Sequence, residues 1–467
     1  MTSLPRVCLV GAGASGITAA RSLQRRGLPF DCFDKGDRVG GIWVMNSASG
    51  LASAYRELHI NVSRERMEFA DWPMSDDYPL FPHHTQIAKY FGDYVEHFGL
   101  DRHISLETTV EQADQTPDGL WEVTLDTGET RVYDALVVAN GHHSEPRWPD
   151  PPLPGEFDGL QMHSHDYRDD SVLRGRDVVI VGLGNSAMDV AVESSYAARN
   201  TYLSVRRGAH ILPKQMFGYP YDQVPLLEYM LGRGIGRGRL GMQIPWRVRQ
   251  AMLAFGHRMT VGRMTDYGLP RPDHPFGAIH PTISTRILDR LLHGRITPKQ
   301  AIARLDGDAV VFADGTRVPA EVIVWCTGYR ITFPFLAGDV IPVADNRVDL
   351  YWNVFRPGIP NLAFIGLLQP GAGSTMQISE AQGRWVAEYL AGDYALPSAP
   401  EMRQAIEQQR DRARKRYVNS PRHTIQVDQF EFVWRLRDEL RRGARRARRD
   451  GPAVSARAAG VEPPVRA

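Results

Sequence analysis

Two short glycine clusters carry the most specific chemical signal in this 467-residue chain. Gly11, Gly13 and Gly16 stand at the spacing G-x-G-x-x-G, with Ala14 and Ser15 between the last two; Gly182, Gly184 and Ala187 repeat the spacing around Asn185 and Ser186. Glycines so placed let the backbone turn tightly and approach a diphosphate, while the helix that follows aims its free N–H groups at the anion. Roughly twenty residues after the first cluster come Asp34 and Lys35, where a carboxylate accepts ribose hydroxyls. The matching place after the second cluster holds Arg206 and Arg207. A guanidinium there pairs with a 2′-phosphate that a carboxylate would repel. The pattern predicts FAD on the first cluster and NADP on the second, with Asn185 and Ser186 adding side-chain donors beside the second diphosphate. A solvated strand end is the alternative reading of the two arginines.

Each cluster needs a buried strand before it and a helix after it. Residues 6–10 are a short apolar strand, residues 17–26 have helical spacing closed by Gly27, and residues 29–33 form the strand that delivers Asp34. Residues 178–181 and 201–205 flank the second cluster in the same way. An internal echo follows each cluster: a hairpin turn at Gly128 leads to a buried strand ending at Gly141, and one at Gly315 leads to a strand ending at Gly328. The separation is 13 residues both times, with an acid 6 residues past the turn glycine, Asp134 or Glu321. Such duplication predicts an α/β chain of two Rossmann-like dinucleotide-binding domains, the NADPH domain inserted in the FAD domain. The expected boundaries are 1–150 for the first part of the FAD domain, 151–330 for the NADPH domain with a helical insertion at 213–281, 331–440 for the return to the FAD domain, and 441–467 for a basic, disordered tail. The proline-rich stretch 150–154 marks the entry to the second domain. The insertion, with its basic, apolar segment 246–259, reads as a helical pair packing its apolar face on the sheet; a membrane-surface helix or a substrate-channel wall are the minority readings.

Composition removes other classes. With 55 basic and 54 acidic residues the net charge is +1, which argues against nucleic acid as a partner. Cys8, Cys32 and Cys326 are too few and scattered for a disulfide framework or a redox pair, which disfavours a disulfide reductase built on the same two-nucleotide plan and fits a cytoplasmic setting. No apolar run reaches the roughly 18 residues of a transmembrane span. The adjacent pairs His83-His84 and His142-His143 are expected to diverge as on a strand, so no metal site is predicted. Ser15 and Ser186 have no identifiable base and are not read as nucleophiles. The oligomeric state has no readable code, and a homodimer is left open.

Just ahead of the second cluster, Phe157, Gly159, His163 and Tyr167 fit the pattern F-x-G-x-x-x-H-x-x-x-[YF]. With it the chain resembles the flavin-containing monooxygenases, from Val7 to about Leu440. Asp34 followed by Gly40, Gly41, Ile42 and Trp43 is similar to the family's acid and G-G-x-W element beside the flavin. Ile60, Asn61 and Val62 fall where these enzymes have an asparagine that touches flavin and nicotinamide. Cys326, Thr327, Gly328 and Tyr329 resemble the A-T-G-Y motif, and residues 362–369, ending at Gln369, resemble the strand that returns to the flavin. Residues 423–428 are similar to a C-terminal segment of animal members. Val110 and Gly141 complete the expected cofactor-binding positions. Two departures stand out: Tyr167 is followed by Arg168, where Baeyer–Villiger enzymes have Trp-Pro, and an arginine-rich stretch replaces the hydrophobic anchor of animal members.

The resemblance implies that NADPH reduces FAD, O₂ adds to the reduced flavin, and retained NADP⁺ protects a hydroperoxyflavin. That species would pass one oxygen atom to nitrogen or sulfur of a small lipophilic amine or sulfide. Baeyer–Villiger oxidation of a ketone and hydroxylation of a primary amine are the alternatives, and a non-catalytic NADP(H)-binding flavoprotein is the reading outside catalysis. No acid–base dyad is required. Asn61 is the expected catalytic side chain, steadying the peroxide and the nicotinamide amide by hydrogen bonds; its bland role would be a loop turn. His163 is expected to brace the linker through a backbone hydrogen bond.

Overall fold

The computed structural model describes residues 4–224, 245–371 and 373–450, and the chain parts into two compact units. One unit holds the residues up to Ala52, Arg64–Ser144 and the chain from Ile331 onward; the other holds Ser53–Ser63 and Glu145–Arg330.

In the first unit the strands Val7–Val10 and Ala135–Val138 are apolar at every position and buried throughout, the signature of a parallel sheet covered on both faces. They lie at the centre of five parallel strands in the order Leu362–Phe364, Ala135–Val138, Val7–Val10, Phe30–Phe33, Ile104–Ser105. An antiparallel ribbon, Val110–Gln115, Trp121–Leu125 and Thr130–Tyr133, packs Trp121 into the same core, where its indole N–H donates to the Asn361 carbonyl at 3.2 Å.

The second unit repeats the plan. Its parallel sheet runs Thr297–Lys299, Asn200–Ser204, Asp177–Val181, Val322–Trp325, Leu160–His163, with the ribbon Ile302–Asp306, Ala309–Phe312, Arg317–Pro319 beside it. Both units are thus Rossmann-like α/β folds, and the echo has a physical meaning. Each ribbon leads into the strand paired with the one that carries the glycines. Each echo acid accepts the backbone N–H at the head of that strand: Asp134 from Arg6 at 2.8 Å, and Glu321 from Asp177 at 3.0 Å.

Four expectations need correction. Residues 53–63, assigned by sequence to the first domain, group with the second unit, because their partners lie more than a hundred residues downstream. The helix Gln429–Asp450 runs through the arginine stretch expected to be disordered; Arg446 ties it down by donating to the Ala395 carbonyl at 2.9 Å and the Tyr394 hydroxyl at 3.1 Å, while residues 451–467 lie outside the described residues. The helix Trp246–Val261 turns Val248, Met252, Phe255 and Met259 to the exterior; its inward face is Arg249, His257 and Val261, with the His257 Nε2 at 2.8 Å from the Ile211 carbonyl. The remainder of that insertion, residues 225–244, lies outside the described residues. The paired histidines do not diverge: the rings of His83 and His84 are 4.3 Å apart and those of His142 and His143 are 4.2 Å apart. His83 is no strand residue but the cap of the helix His84–His97, and His84 Nδ1 meets the Trp43 carbonyl at 3.2 Å.

Candidate functional site

Two of the helices that start without a side-chain cap are the ones that follow the glycine clusters; Trp246–Val261 and Arg286–Leu292 also lack a cap, but neither follows a glycine turn. The helices His84–His97, Thr375–Leu390 and Ala399–Arg416 are capped by the side chains of His83, Ser374 and Ser398. The helices Ala14–Arg25 and Asn185–Ala197 begin at Gly13 and Gly184 with no side-chain cap. Their first N–H groups are therefore left for a ligand, which is what an anion site at a helix N-terminus needs.

In the first unit, Gly11 takes φ +102°, and a Cβ on it would meet the Ala139 carbonyl oxygen at 2.6 Å. A Cβ on Gly16 would stand 1.8 Å from the Gly11 carbonyl oxygen, so helix and turn close only around glycine. The turn Gly41–Trp43 lies against the loop, with Gly40 N–H donating to the Ala12 carbonyl at 3.1 Å and Ile42 exposed. Asp34 braces the glycine loop: one carboxylate oxygen accepts from Ala12 N–H at 2.5 Å, the other from Gly36 N–H at 2.7 Å. A carboxylate oxygen has a second lone pair, so a ribose hydroxyl still fits. Lys35 is exposed, and the Val110 side chain packs into the core. The Ser15 hydroxyl meets the Ser379 hydroxyl at 3.0 Å. Gly141 follows the central strand at φ +78° with open space around it, and the buried Gln369 Oε1 has no hydrogen-bond partner. Glycines that a Cβ would obstruct, uncapped N–H groups and an orphaned amide oxygen together fit a bound dinucleotide.

The second unit repeats the closure: Gly182 has φ +126°, and its Cβ would meet the Cys326 carbonyl oxygen at 2.7 Å. Ala187, the counterpart of Gly16, is fully buried. The Asn185 amide differs from the expected phosphate donor. Its Oδ1 accepts from Ile283 N–H at 2.8 Å and its Nδ2 points to the Pro281 carbonyl at 3.4 Å, so it ties residues 281–283 to the helix start; Thr282 Oγ1 donates to the Leu183 carbonyl at 2.8 Å. Ser186 is half-buried on the same turn. The two arginines divide. Arg207 pairs with Asp273 at 2.7 Å and, with His274, holds that carboxyl down at about 2. Arg206 is exposed and meets no carboxylate among the described residues.

The motif of residues 157–167 is architectural. A Cβ on Gly159 would strike the Phe157 ring at 2.7 Å. His163 is fully buried, its Nδ1 accepts from His165 N–H at 3.0 Å, and burial holds its ring down at about 4. Tyr167 donates to Glu193 at 2.7 Å. Thr327 spends its hydroxyl on the Arg147 carbonyl, Gly328 has open space at φ +86°, and burial lifts the Cys326 thiol to about 12.

Ile60, Asn61 and Val62 sit on a segment without regular structure that is fastened within the second unit on both sides of Asn61. Tyr55 donates to Asp189 at 2.5 Å, Arg56 N–H to the Arg168 carbonyl at 2.8 Å, and Lys214 Nζ to the Ile60 carbonyl at 2.9 Å. Beyond Asn61, Val62 packs with Met216 and Tyr221, and Ser63 N–H donates to Asp222 at 2.8 Å. Asn61 Oδ1 is buried and has no hydrogen-bond partner. Burial lifts the carboxyls of Asp189 and Glu193, the latter to about 7, and lowers the Lys214 ammonium. Sequence reading missed Tyr55, Asp189 and Lys214; the signal was two acids, Asp189 and Glu193, four apart on one face of the helix Asn185–Ala197.

Duplicated sheets, each leading through an unobstructed glycine turn into an uncapped helix, define a protein that binds two dinucleotides. The sequence profile described as "FMO-like: Flavin-binding monooxygenase-like" matches residues 5–442, and the chain belongs to that family. It is 36% identical over 454 residues to "Flavin-containing monooxygenase 5" of Rattus norvegicus, spanning 93% of this chain and 82% of that protein. Among solved structures, S-allyl-L-cysteine S-oxygenase from Allium sativum has 25% identity and a TM-score of 0.69, covering 97% of this chain and 94% of its own. Cyclohexanone monooxygenase, at 19% identity, shares the fold with a TM-score of 0.67 over 94% of this chain and 98% of its own. The chain is an NADPH-dependent flavin monooxygenase, with FAD and NADP as cofactors. Among the described residues, no helix is long and apolar enough to cross a membrane.

Proposed function

We propose that this enzyme transfers one oxygen atom of O₂ to a nitrogen or sulfur of a small lipophilic substrate, in a cytoplasmic setting. NADPH, a proton and O₂ are consumed; NADP⁺, water and the N-oxide or S-oxide leave. Bound FAD supplies the redox chemistry, accepting the hydride of NADPH and activating oxygen.

The residues of the chain bind and orient. The glycine turn at Gly11, Gly13 and Gly16, with Ala14 and Ser15, takes the FAD diphosphate on the N-terminus of Ala14–Arg25, and Asp34 takes its ribose. Lys35, Gly41, Ile42, Trp43, Val110, Gly141 and Gln369 are the further FAD-binding positions of the first unit, and Thr327 and Gly328 are assigned to cofactor binding on the second. Gly182, Gly184, Ser186 and Ala187 take the second diphosphate, held in shape by Asn185. Arg206, exposed and uncommitted, takes the 2′-phosphate, while Arg207 shapes the strand end through Asp273. The observation that carries the reading is the buried, unpartnered amide oxygen of Asn61: it calls for an N–H from a ligand, which a nicotinamide carboxamide offers, while Nδ2 remains a donor toward an oxygen.

Oxidation at sulfur or nitrogen is favoured by the likeness to an S-oxygenase and by Tyr167-Arg168 where Baeyer–Villiger enzymes have Trp-Pro. The test is product analysis with a sulfide, a tertiary amine and a cyclic ketone, alongside NADPH consumption. Sulfoxide or N-oxide formed in step with NADPH supports the reading, and a lactone as the sole product overturns it. In the same assay Asn61→Ala is expected to keep FAD but consume NADPH without product.

A further inference from the structure

We infer that Lys214 and Asp189 are positioning residues that hold the segment carrying Asn61 and tie it to the helix of the second glycine turn. The inference deepens the proposed role of Asn61 and rests on it for its functional half.

The connection is built from a short chain of hydrogen bonds. Asp189 lies one turn beyond Asn185 on the helix Asn185–Ala197, so it moves with the N-terminus assigned to the second diphosphate. Its carboxylate accepts from the Tyr55 hydroxyl at 2.5 Å, at the head of the segment. Lys214 reaches the same segment from another direction, donating to the Ile60 carbonyl at 2.9 Å, one residue before Asn61. Its own backbone N–H donates to Thr285 Oγ1 at 3.0 Å, and the preceding strand Ile211–Leu212 pairs with Thr282–Ile283, whose Ile283 N–H is held by Asn185. Two routes therefore run from one helix start to one loop, through Asp189 and Tyr55 and through residues 282–285 and Lys214.

A half-buried ammonium and a half-buried carboxylate are costly unless they act on something fixed. Burial disfavours the charge of each, and each opposes that effect on the other; Arg286 is the further cation near both. A methionine at 214 would fill the space and leave the Ile60 carbonyl without its donor. Residues 53–63 have no helix or strand of their own to keep their shape, so these side-chain bonds must do it.

The test is hydrogen–deuterium exchange of the peptide covering residues 53–63 in the full-length, FAD-loaded protein, with and without NADP⁺. Lys214→Met should speed exchange there about tenfold, leave residues 7–25 unchanged, and be reversed by Lys214→Arg. NADP⁺ should slow exchange of the same peptide in the unaltered protein and fail to do so in Asp189→Asn. Should Lys214→Met not fold, Tyr55→Phe removes one anchor with little change of shape and carries the same expectation in smaller degree. Unchanged exchange in these variants, or a segment indifferent to NADP⁺ in the unaltered protein, overturns the inference. Product formed per NADPH separates the two claims: faster exchange with Asn61→Ala still fully coupled leaves the anchor standing and refutes the role of Asn61.

Discussion

The two halves of the chain close their glycine turns alike and differ at the ends of their second strands. In both, the first glycine has positive φ, and a Cβ on it would meet the carbonyl oxygen just past the echo strand, at 2.6 Å for Gly11 and 2.7 Å for Gly182. In both, an echo acid receives the N–H at the head of the glycine strand. The common features are those the fold cannot do without. Where one half has Asp34 bonded into its own glycine loop, the other has an exposed Arg206 bonded to no carboxylate among the described residues. Ligand choice is written where the packing is free to vary.

The comparison breaks most sharply at the third position of each cluster. Gly16→Ala puts a methyl 1.8 Å from a backbone oxygen and should yield no FAD-loaded protein. Its mirror, Ala187→Gly, removes a buried methyl and some helix propensity, costing about 1–2 kcal/mol in thermal or denaturant unfolding. Next comes the strand end: Arg206→Ala should raise the KM for NADPH about 10- to 100-fold, the worth of one charge-assisted contact, and leave NADH nearly unaffected. Arg207→Ala should change little, since its partner is a half-exposed surface carboxylate. Equal losses with both nucleotides would refute the 2′-phosphate assignment.

Smaller effects follow at the echo acids. Asp134 is buried and Glu321 has a half-exposed side chain. Asp134→Ala should cost about 1–3 kcal/mol of stability, and Glu321→Ala less, because water reaches the freed N–H. A further effect is a slope with pH. Glu193 titrates at about 7 in the fold against an ordinary 4.5, so the folded chain keeps a proton that the unfolded chain has lost. Stability should therefore fall as pH rises from about 4.5 to about 7 and level off above; Glu193→Gln should flatten that part of a melting-temperature profile.

The glycine clusters, their strands and the echo were legible because each is written within a few dozen residues and depends on residue types with few substitutes. What was hidden is non-local. Tyr55 finds Asp189 across 134 positions, and this moves the Asn61 segment from the first unit to the second. The arginine stretch has no apolar period, yet Arg446 finds Ala395 and Tyr394 and the helix persists. Thr327 and Asn185 looked like ligand donors by motif, and their side chains are spent on the Arg147 carbonyl and on residues 281–283. A motif gives the type of residue a turn requires; the fold decides which of its atoms remain free.

The division of labour between the halves is tested most directly by the FAD released per chain from two matched variants, Gly11→Ala and Gly182→Ala, each of which places a methyl against a carbonyl at almost the same distance. Gly11→Ala should lose FAD, and Gly182→Ala should retain about one FAD per chain while no longer binding NADP⁺. Loss of FAD from Gly182→Ala, with a full complement retained by Gly11→Ala, would contradict the assignment of the two nucleotides.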